Sequence, residues 1–364
     1  MPLQIGIIGL PNVGKSTLFN ALTRTRGAQA ANYPFCTIEP NVGIVEVPDV
    51  RLQKLSEIVH PKKIIPAAIE FVDIAGLVRG ASKGEGLGNK FLAAIREVDA
   101  LCEVVRLFPG DVIHVEGSVD PARDRETVET ELCIADLDTL ERRHGKVANA
   151  ARTGDKEMAK EAAVLEKLIP ALREGKLAIE VQLLNAEEEA IAKGFQLLTR
   201  KPIIYAANVG ESELGSLSIE TAKEQLRLPS SAQLITISAK IEEDLQDLSA
   251  EDAAAFLTEL KVTDSGLTRL IHAAYEALGY ITFLTAGPEE VRAWNVRKNS
   301  RAPQAAGVIH TDFEKGFIRA ETIAYNDYIT LGGELKAKEA GKMRAEGKEY
   351  VVSDGDVMHF RFNV

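Results

Sequence analysis

The residues Gly9-Leu10-Pro11-Asn12-Val13-Gly14-Lys15-Ser16 decide the fold of this chain. They match the pattern G-x-x-x-x-G-K-[ST] and follow a short apolar run, residues 4–8, that is typical of a buried β-strand. In such a loop the glycines let backbone N–H groups turn toward phosphate oxygens, and the helix that follows adds its positive N-terminal end. The sequence therefore predicts a strand–loop–helix unit that binds phosphates.

Two side chains of this loop carry chemistry of their own. Lys15 is long enough to reach the β- and γ-phosphates of a nucleotide, which gives it a catalytic role, and the Ser16 hydroxyl suits magnesium. We therefore expect nucleotide contacts from consecutive loop and helix residues, namely Asn12, Val13, Gly14, Lys15, Ser16 and Thr17.

A second group of residues is expected to complete a magnesium site. Asp73-Ile74-Ala75-Gly76 ends an apolar strand, where Asp73 can hold the cation through water and the Gly76 N–H can sense the γ-phosphate. Thr37 lies between a helix and a strand, where a threonine would complete the metal shell. The alternative for Thr37 is an ordinary turn threonine.

Two short signals further along the chain point to the nucleotide base. Asn208-Val209-Gly210-Glu211 follows a strand at the position where G proteins carry N-K-x-D, and Ser238-Ala239-Lys240 matches their base-supporting S-A-K loop. We expect Asn208, Val209, Glu211, Ser238 and Ala239 to line the base. The chain order of all four signals predicts a G-type domain and disfavours a nucleoside kinase with the same phosphate loop.

The pattern along the chain predicts an α/β protein in three parts. A G domain with a mostly parallel sheet is expected from residues 1–120 and 200–279, where short β-type runs alternate with helical stretches. Between them, residues 121–199 show helical periodicity broken at Gly154-Asp155, which predicts an inserted antiparallel coiled-coil hairpin. Residues 280–364 contain short β-type runs, among them 281–284, 291–296, 350–352 and 357–362, and predict a small, mostly β domain.

The composition limits the partners and the compartment. The formal net charge of −11 repels nucleic acid and anionic membrane, so any RNA contact must come from local basic patches, and we expect neither a membrane nor a DNA partner. Without a secretory signal or a long apolar run, the chain is expected to be cytoplasmic. Cys36, Cys102 and Cys133 are odd in number and far apart, so we interpret them as small buried residues in a reducing compartment.

Several longer strings carry a family resemblance. Residues 32–41, 73–77 and 80–89 accompany the phosphate loop, and residues 302–307 and 310–321 lie in the tail. Together they resemble the Obg-like ATPases of YchF type over nearly the whole chain, most weakly in the helical insertion. The resemblance implies an ATPase that uses Mg²⁺ and acts as a switch on the ribosome, on the large subunit and the assembled particle, through the hairpin and a β-grasp-like TGS domain at residues 280–364.

The residues agree with a preference for ATP over GTP. The aspartate of N-K-x-D accepts hydrogen bonds from guanine, whereas Glu211 is one methylene longer and Val209 replaces the lysine that covers the base. Leu77 stands where Ras-like proteins place a water-orienting glutamine, so unassisted hydrolysis should be slow. The resemblance implies His114 as the catalytic group, and the alternative is a partly buried loop histidine.

Three basic stretches are candidate contact surfaces, although charge runs are usually solvated faces. They comprise Arg142, Arg143, Lys146, Arg152, Lys156 and Lys160 in the hairpin, Arg292, Arg297, Lys298 and Arg301 around Trp294, and Lys336, Lys338, Lys342, Arg344 and Lys348 near the end. Two other functions stay open from sequence alone: a GTPase with the same fold, and a nucleotide-binding scaffold that hardly hydrolyses.

Overall fold

A computed structural model of the protein describes residues 3–24, 41–74, 87–108, 120–152 and 154–363. The first part of the chain alternates strands and helices, as the sequence predicts. Its elements are β1 (Leu3–Ile8), α1 (Lys15–Arg24), β2 (Val42–Glu46), α2 (Val50–Val59), β3 (Lys63–Ile65), β4 (Ala68–Asp73), α3 (Leu87–Glu97) and β5 (Ala100–Arg106). Helix α2 and strand β3 are absent from the sequence-based expectation.

The insertion is a helical hairpin followed by a short helix. Helices α4 (Pro121–Arg152) and α5 (Lys156–Arg173) pack along an apolar seam, and α6 (Ala186–Gly194) packs against α5, with Glu187 pairing with Lys160 and Glu188 with Lys167. The chain reverses at Gly154, whose φ of +95° favours glycine, and the Asp155 carboxylate caps α5 by accepting two backbone N–H groups. The predicted hairpin and its break at residues 154–155 are confirmed.

The chain then returns to the first sheet through β6 (Ile203–Asn208), α7 (Ile219–Gln225), β7 (Gln233–Ile237), α8 (Ala239–Leu245), α9 (Ala250–Glu259) and α10 (Gly266–Ala277). The strand order is β2-β4-β1-β5-β6-β7, and all neighbouring pairs are parallel except β2 with β4. The predicted α/β class with a mostly parallel sheet is confirmed. Because the carboxyl ends of parallel strands lie at one edge, the signals that follow β1, β4, β6 and β7 meet there.

The tail forms a second sheet with helices packed on it. Its elements are β8 (Tyr280–Ala286), β9 (Glu290–Arg297), α11 (Ala302–Ile309), α12 (Thr311–Lys315), β10 (Phe317–Ala324), α13 (Tyr325–Leu331), α14 (Glu334–Glu339), β11 (Arg344–Glu346) and β12 (Asp356–Phe362). The strand order is β11-β10-β12-β8-β9-β3, so the last strand comes from the first part of the chain.

Two expectations for the tail need correction. The domain is α+β rather than mostly β, because α11 supplies Ala302, Ala305 and Ala306 to the core beneath Phe283 and Phe360. The run at residues 350–352 is not a strand and makes a single bridge, Arg301 with Val351. Its partner segment turns directly into α11, so the pairing cannot extend.

None of the described helices combines the length and apolar character that crossing a bilayer requires.

Candidate nucleotide-binding site

The phosphate loop has the backbone shape that its glycines predict. At Gly9 φ is +144°, and an added Cβ would lie 2.5 Å from the carbonyl oxygen of Val104. At Gly14 φ is +102°, and an added Cβ would lie 2.3 Å from the Asn208 Nδ2 atom. Both positions therefore require glycine, for the backbone angle and for the space.

Lys15 lies in the loop, with its amine turned inward. Its Nζ donates a hydrogen bond to the carbonyl oxygen of Leu10 at 2.7 Å, and burial lowers the pKa of the amine although the nearby Asp73 opposes the shift. Burial in turn raises the pKa of the Asp73 carboxyl, and Lys15 opposes that shift. Asp73 ends β4, and Lys15 begins the helix that follows the neighbouring β1, where Ile7 pairs with Asp73 in the ladder. The structure thus brings the predicted phosphate-binding lysine and metal-binding aspartate together.

Asn208 joins three parts of the site that are far apart in sequence. Its side-chain Nδ2 donates to the carbonyl oxygen of Val13 at 2.8 Å, and its Oδ1 accepts from the backbone N–H of Ala239 at 3.0 Å. The buried amide therefore fixes the phosphate loop against the S-A-K loop. The side chain of Asn208 is thus held by two hydrogen bonds within the protein.

Val209 and Glu211, which stand at the positions of the lysine and aspartate of N-K-x-D, have side chains in different surroundings. Val209 is 1% exposed, and its side chain packs among Leu214, Ile241 and Leu245. The side chain of Val209 therefore faces the core, and its backbone N–H donates to the carbonyl oxygen of Ile237 at 2.8 Å. Glu211 is exposed at the start of a 3₁₀ turn, Glu211–Glu213, so its carboxylate is accessible at the rim of the site.

A buried acid that the sequence did not predict, Glu242, lies one helical turn after Ser238 of the S-A-K loop. Ser238 is buried at the start of α8, and Glu242 in the next turn is also buried. The Glu242 carboxylate accepts from the backbone N–H groups of Gly266 and Leu267, at 2.6 and 3.3 Å, which caps α10. Burial raises the pKa of this carboxyl against those hydrogen bonds. A capping acid 24 residues before its helix leaves no local sequence signal.

The oxygen donors in the described part of the site fit magnesium. The Ser16 hydroxyl is exposed in the first turn of α1, and the Asp73 carboxyl stands at the end of the neighbouring β4. Hydroxyl and carboxylate oxygens are the ligands that Mg²⁺ prefers, together with water and substrate phosphates.

Three predicted site residues, Thr37, Gly76 and His114, lie outside the described residues, as do Cys36 and Leu77. The other two cysteines are buried free thiols, and burial raises the pKa of each thiol to about 12. This fits their interpretation as small buried residues.

The strand order, the glycine loop and the joined base-side loops define the class of protein. The chain is a P-loop nucleoside triphosphate hydrolase with a G-type domain. Residues 4–138 match a family described as 50S ribosome-binding GTPase, and residues 280–363 match the family YchF-GTPase_C, described as a protein of unknown function.

Relatives match the chain along its full length. The ribosome-binding ATPase YchF of Bacillus subtilis (strain 168) is 55% identical over 368 residues, and that of Escherichia coli O157:H7 is 52% identical over 365 residues, with 100% of each chain covered. The solved structure of the Schizosaccharomyces pombe YchF GTPase superposes with a TM-score of 0.88 at 39% identity, covering 99% of this chain and 97% of that one. The chain belongs to the YchF family.

Proposed function

We propose that this chain is a magnesium-dependent, cytoplasmic ATPase that works as a nucleotide switch on the ribosome. The bacterial relatives are named ribosome-binding ATPases, whereas the Schizosaccharomyces pombe protein is named a GTPase. The names of the relatives therefore differ in the nucleotide. The choice between ATP and GTP for this chain has to rest on the residues at the base side of the site.

The exposed Glu211 beside an Asn208 that bonds within the protein through both Nδ2 and Oδ1 is the observation that carries the proposal. Val209 faces the core, so we propose Glu211 as the side chain that meets the base edge. A glutamate at this place is a methylene too long for the paired contact with guanine. A pocket that tolerates a base discriminates weakly, so we expect a modest preference for ATP.

Catalysis by this site is mainly positioning. The loop amides of residues 12–17 and Lys15 hold the phosphates, while Ser16, Thr37 and Asp73 would hold Mg²⁺, which when bound neutralises charge on the β- and γ-phosphates. Gly76 would sense the γ-phosphate, and His114 is proposed to orient water in place of the glutamine that Leu77 replaces. A ribosome-bound state would complete this arrangement and speed hydrolysis.

A cationic cleft at the hairpin supports a contact surface there. The cleft has a volume of about 710 Å³ and is lined by Arg96 of α3, by Arg142, Arg143 and Lys146 of α4, and by Phe195. Arg143 pairs with Glu161, and Arg142 with Asp138, but Lys146 makes no ion pair with any described residue. We propose that this cleft, formed mostly by an insertion assigned to residues 121–199, faces the large subunit of the ribosome.

The basic residues of the proposed TGS domain, residues 280–364, are less available. Arg301 pairs with Glu349 and Lys342 with Asp327, and Arg344 pairs with Glu346. Arg292 stacks on Trp294, with its guanidinium carbon 3.8 Å from the ring centroid. Arginine is the side chain best suited to phosphate recognition, so we propose the face that carries this stacked pair as the second contact.

Competition binding tests the proposal. ATP and GTP are titrated against a fluorescent nucleotide at equal magnesium, with ribosomes absent and present, and turnover is measured in parallel. The wild type should bind ATP at least as well as GTP and turn over faster with ribosomes. Glu211→Asp should shift preference toward GTP by up to about tenfold, or 1.4 kcal/mol.

Glu220→Asp, the same change at an exposed position on α7, is the matched control and should alter neither affinity. A wild type that favours GTP tenfold would replace the ATPase proposal with the GTPase one. Turnover that ribosomes do not change would remove the switch.

A further inference from the structure

The segment between β2 and β4, residues 47–67, leaves the first sheet and joins the second. We call it the arm, and it contains α2 and β3. Strand β3 pairs in parallel with β9, with Lys63 opposite Glu290 and Ile65 opposite Arg292. The C-terminal sheet is therefore completed by a strand that the G domain supplies.

Side chains of the arm reinforce this pairing, through a partly buried Arg51 and a half-exposed Asp354. The Arg51 guanidinium donates from Nη1 to Asp354 Oδ2 at 2.7 Å, and from Nε to Asp49 Oδ1 at 2.9 Å. The other oxygen of Asp354 accepts from the backbone N–H of Thr282 in β8 at 2.9 Å. One carboxylate thus bonds both the arm and the C-terminal sheet.

Apolar contacts join the same two parts. Leu52 and Leu55 of α2 are buried in a single cluster with Leu284, Val291 and Ile323 of the second sheet. The arm is therefore held to the second sheet by apolar packing as well as by ion pairs.

The other end of the same strand pair lies at the nucleotide site. Strands β2 and β4 form an antiparallel ladder from Val42–Val72 to Glu46–Ala68. At the site end, the Asp73 N–H donates to Asn41 O at 2.9 Å; at the arm end, the Val47 N–H donates to Ala67 O at 2.7 Å. The Asn295 side chain of β9 donates to Ala68 O at 3.0 Å, so the C-terminal sheet also touches β4 directly.

We propose that the β2–β4 ladder and the arm form the coupling element through which nucleotide at the phosphate loop alters the C-terminal sheet. A paired ladder with one buried face keeps its register, so movement of Asp73 along β4 is transferred to Ala68, roughly 15 Å away by strand geometry. The coupling is reciprocal: a partner that binds the C-terminal sheet changes nucleotide affinity by the same factor. The inference rests on the proposed function only in requiring that nucleotide binds at the phosphate loop.

Hydrogen exchange on the full chain tests this coupling. Amide exchange in β8 and β9 is measured without nucleotide, with Mg²⁺ and ADP, and with Mg²⁺ and a non-hydrolysable ATP analogue. In the wild type, exchange in these strands should differ at least threefold between the two nucleotide states. Asp354→Asn keeps an acceptor for the Thr282 N–H but loses the charge that bonds Arg51, so the difference should fall below about half.

Lys62→Ala is the matched control, because Lys62 also pairs across the two parts, with Glu289, but both side chains are exposed. This variant should keep the wild-type difference, and thermal unfolding of each variant confirms that it is folded. Nucleotide binding with identical exchange in β8 and β9 would overturn the coupling alone. Failure of either nucleotide to bind would overturn the proposed function, and the coupling with it. If the exchange difference between the two nucleotide states fell equally in Lys62→Ala, Arg51 and Asp354 would have no special role in the coupling.

Discussion

Gly14 and Asn208 occupy the same small volume at the base of the phosphate loop. The Asn208 amide fills the space that a side chain at residue 14 would need, and in doing so it bonds Val13 and Ala239. Sequence motifs name both residues, but only the structure shows that each one requires the other.

Gly14→Ala should therefore weaken nucleotide binding at least tenfold, or about 1.4 kcal/mol, because the added methyl group displaces Asn208 and the backbone angle becomes strained. Gly145→Ala is the control, since nothing lies within 4 Å of an added Cβ there and the residue is inside helix α4. It should leave nucleotide affinity unchanged and stabilise the chain by about 0.5–1 kcal/mol. Equal nucleotide affinities of the two variants would contradict the geometry.

A buried acid lies between the hairpin and the first sheet. Glu103 of β5 is 0% exposed, and neither of its carboxylate oxygens has a hydrogen-bond partner among the described residues. Glu129 of α4 bonds the Tyr205 hydroxyl at 2.6 Å, and Arg125 stands nearby. Burial first, and then Glu129, raise the pKa of the Glu103 carboxyl well above its usual range, against the opposing effect of Arg125.

This arrangement predicts a pH-dependent stability. An acid with a raised folded-state pKa favours the protonated fold, so its contribution is complete below the unfolded pKa of about 4.3 and is lost as pH rises toward the folded pKa. Glu103→Gln should remove up to about 1.4 kcal/mol per pH unit from the slope of unfolding free energy across that window. Urea unfolding at several pH values between 5 and 8 measures this slope. The control is Glu126→Gln at a half-exposed position on α4, which should keep the wild-type slope. Parallel slopes for wild type and Glu103→Gln would refute the prediction.

At the scale of elements, the sequence predicted the helices and strands that are long or have a regular apolar pattern. The strands of the first sheet and the two hairpin helices lie where their periodicity placed them, because each buries a face of its own. The arm was missed because β3 has only three residues and pairs with a strand more than 200 residues later. The sequence could not predict the direction of the Val209 side chain for a similar reason, because that direction depends on Ile241 and Leu245, which no local pattern reveals.

The hairpin gives a prediction for ribosome binding. Arg142→Glu with Lys146→Glu reverses two cleft cations and leaves the Arg143–Glu161 pair in place, so co-sedimentation affinity should fall at least tenfold and its salt dependence should weaken. Arg173→Glu with Lys176→Glu makes the same charge change on the hairpin outside the cleft. Binding by this second variant should stay near the wild-type value. Equal losses would show that total charge, not the cleft, decides binding.

For the whole molecule, the distribution of cores decides which parts unfold together. One apolar cluster runs from the first sheet through Leu52 and Leu55 into the second sheet, whereas the outer hairpin buries a separate cluster that includes Leu165 and Leu168. Domains that share a core lose their stability together, and a satellite cluster opens on its own. We therefore expect that the boundary predicted from sequence at residue 279–280 does not separate two parts that unfold independently.

Truncation after residue 279 should consequently destabilise what remains. It would expose Leu52, Leu55 and Ile65, at roughly 1.5–3 kcal/mol for each side chain, a large share of the 5–15 kcal/mol typical of a folded domain. We expect the truncated chain to unfold at a clearly lower temperature than the full chain, or to aggregate. In the full chain, native-state hydrogen exchange should give the two sheets a common free energy of opening. Exchange should be faster in the part of α4 after residue 142 and in α5. A truncated chain as stable as the full one, or two sheets that open separately, would show that the shared cluster does not couple them.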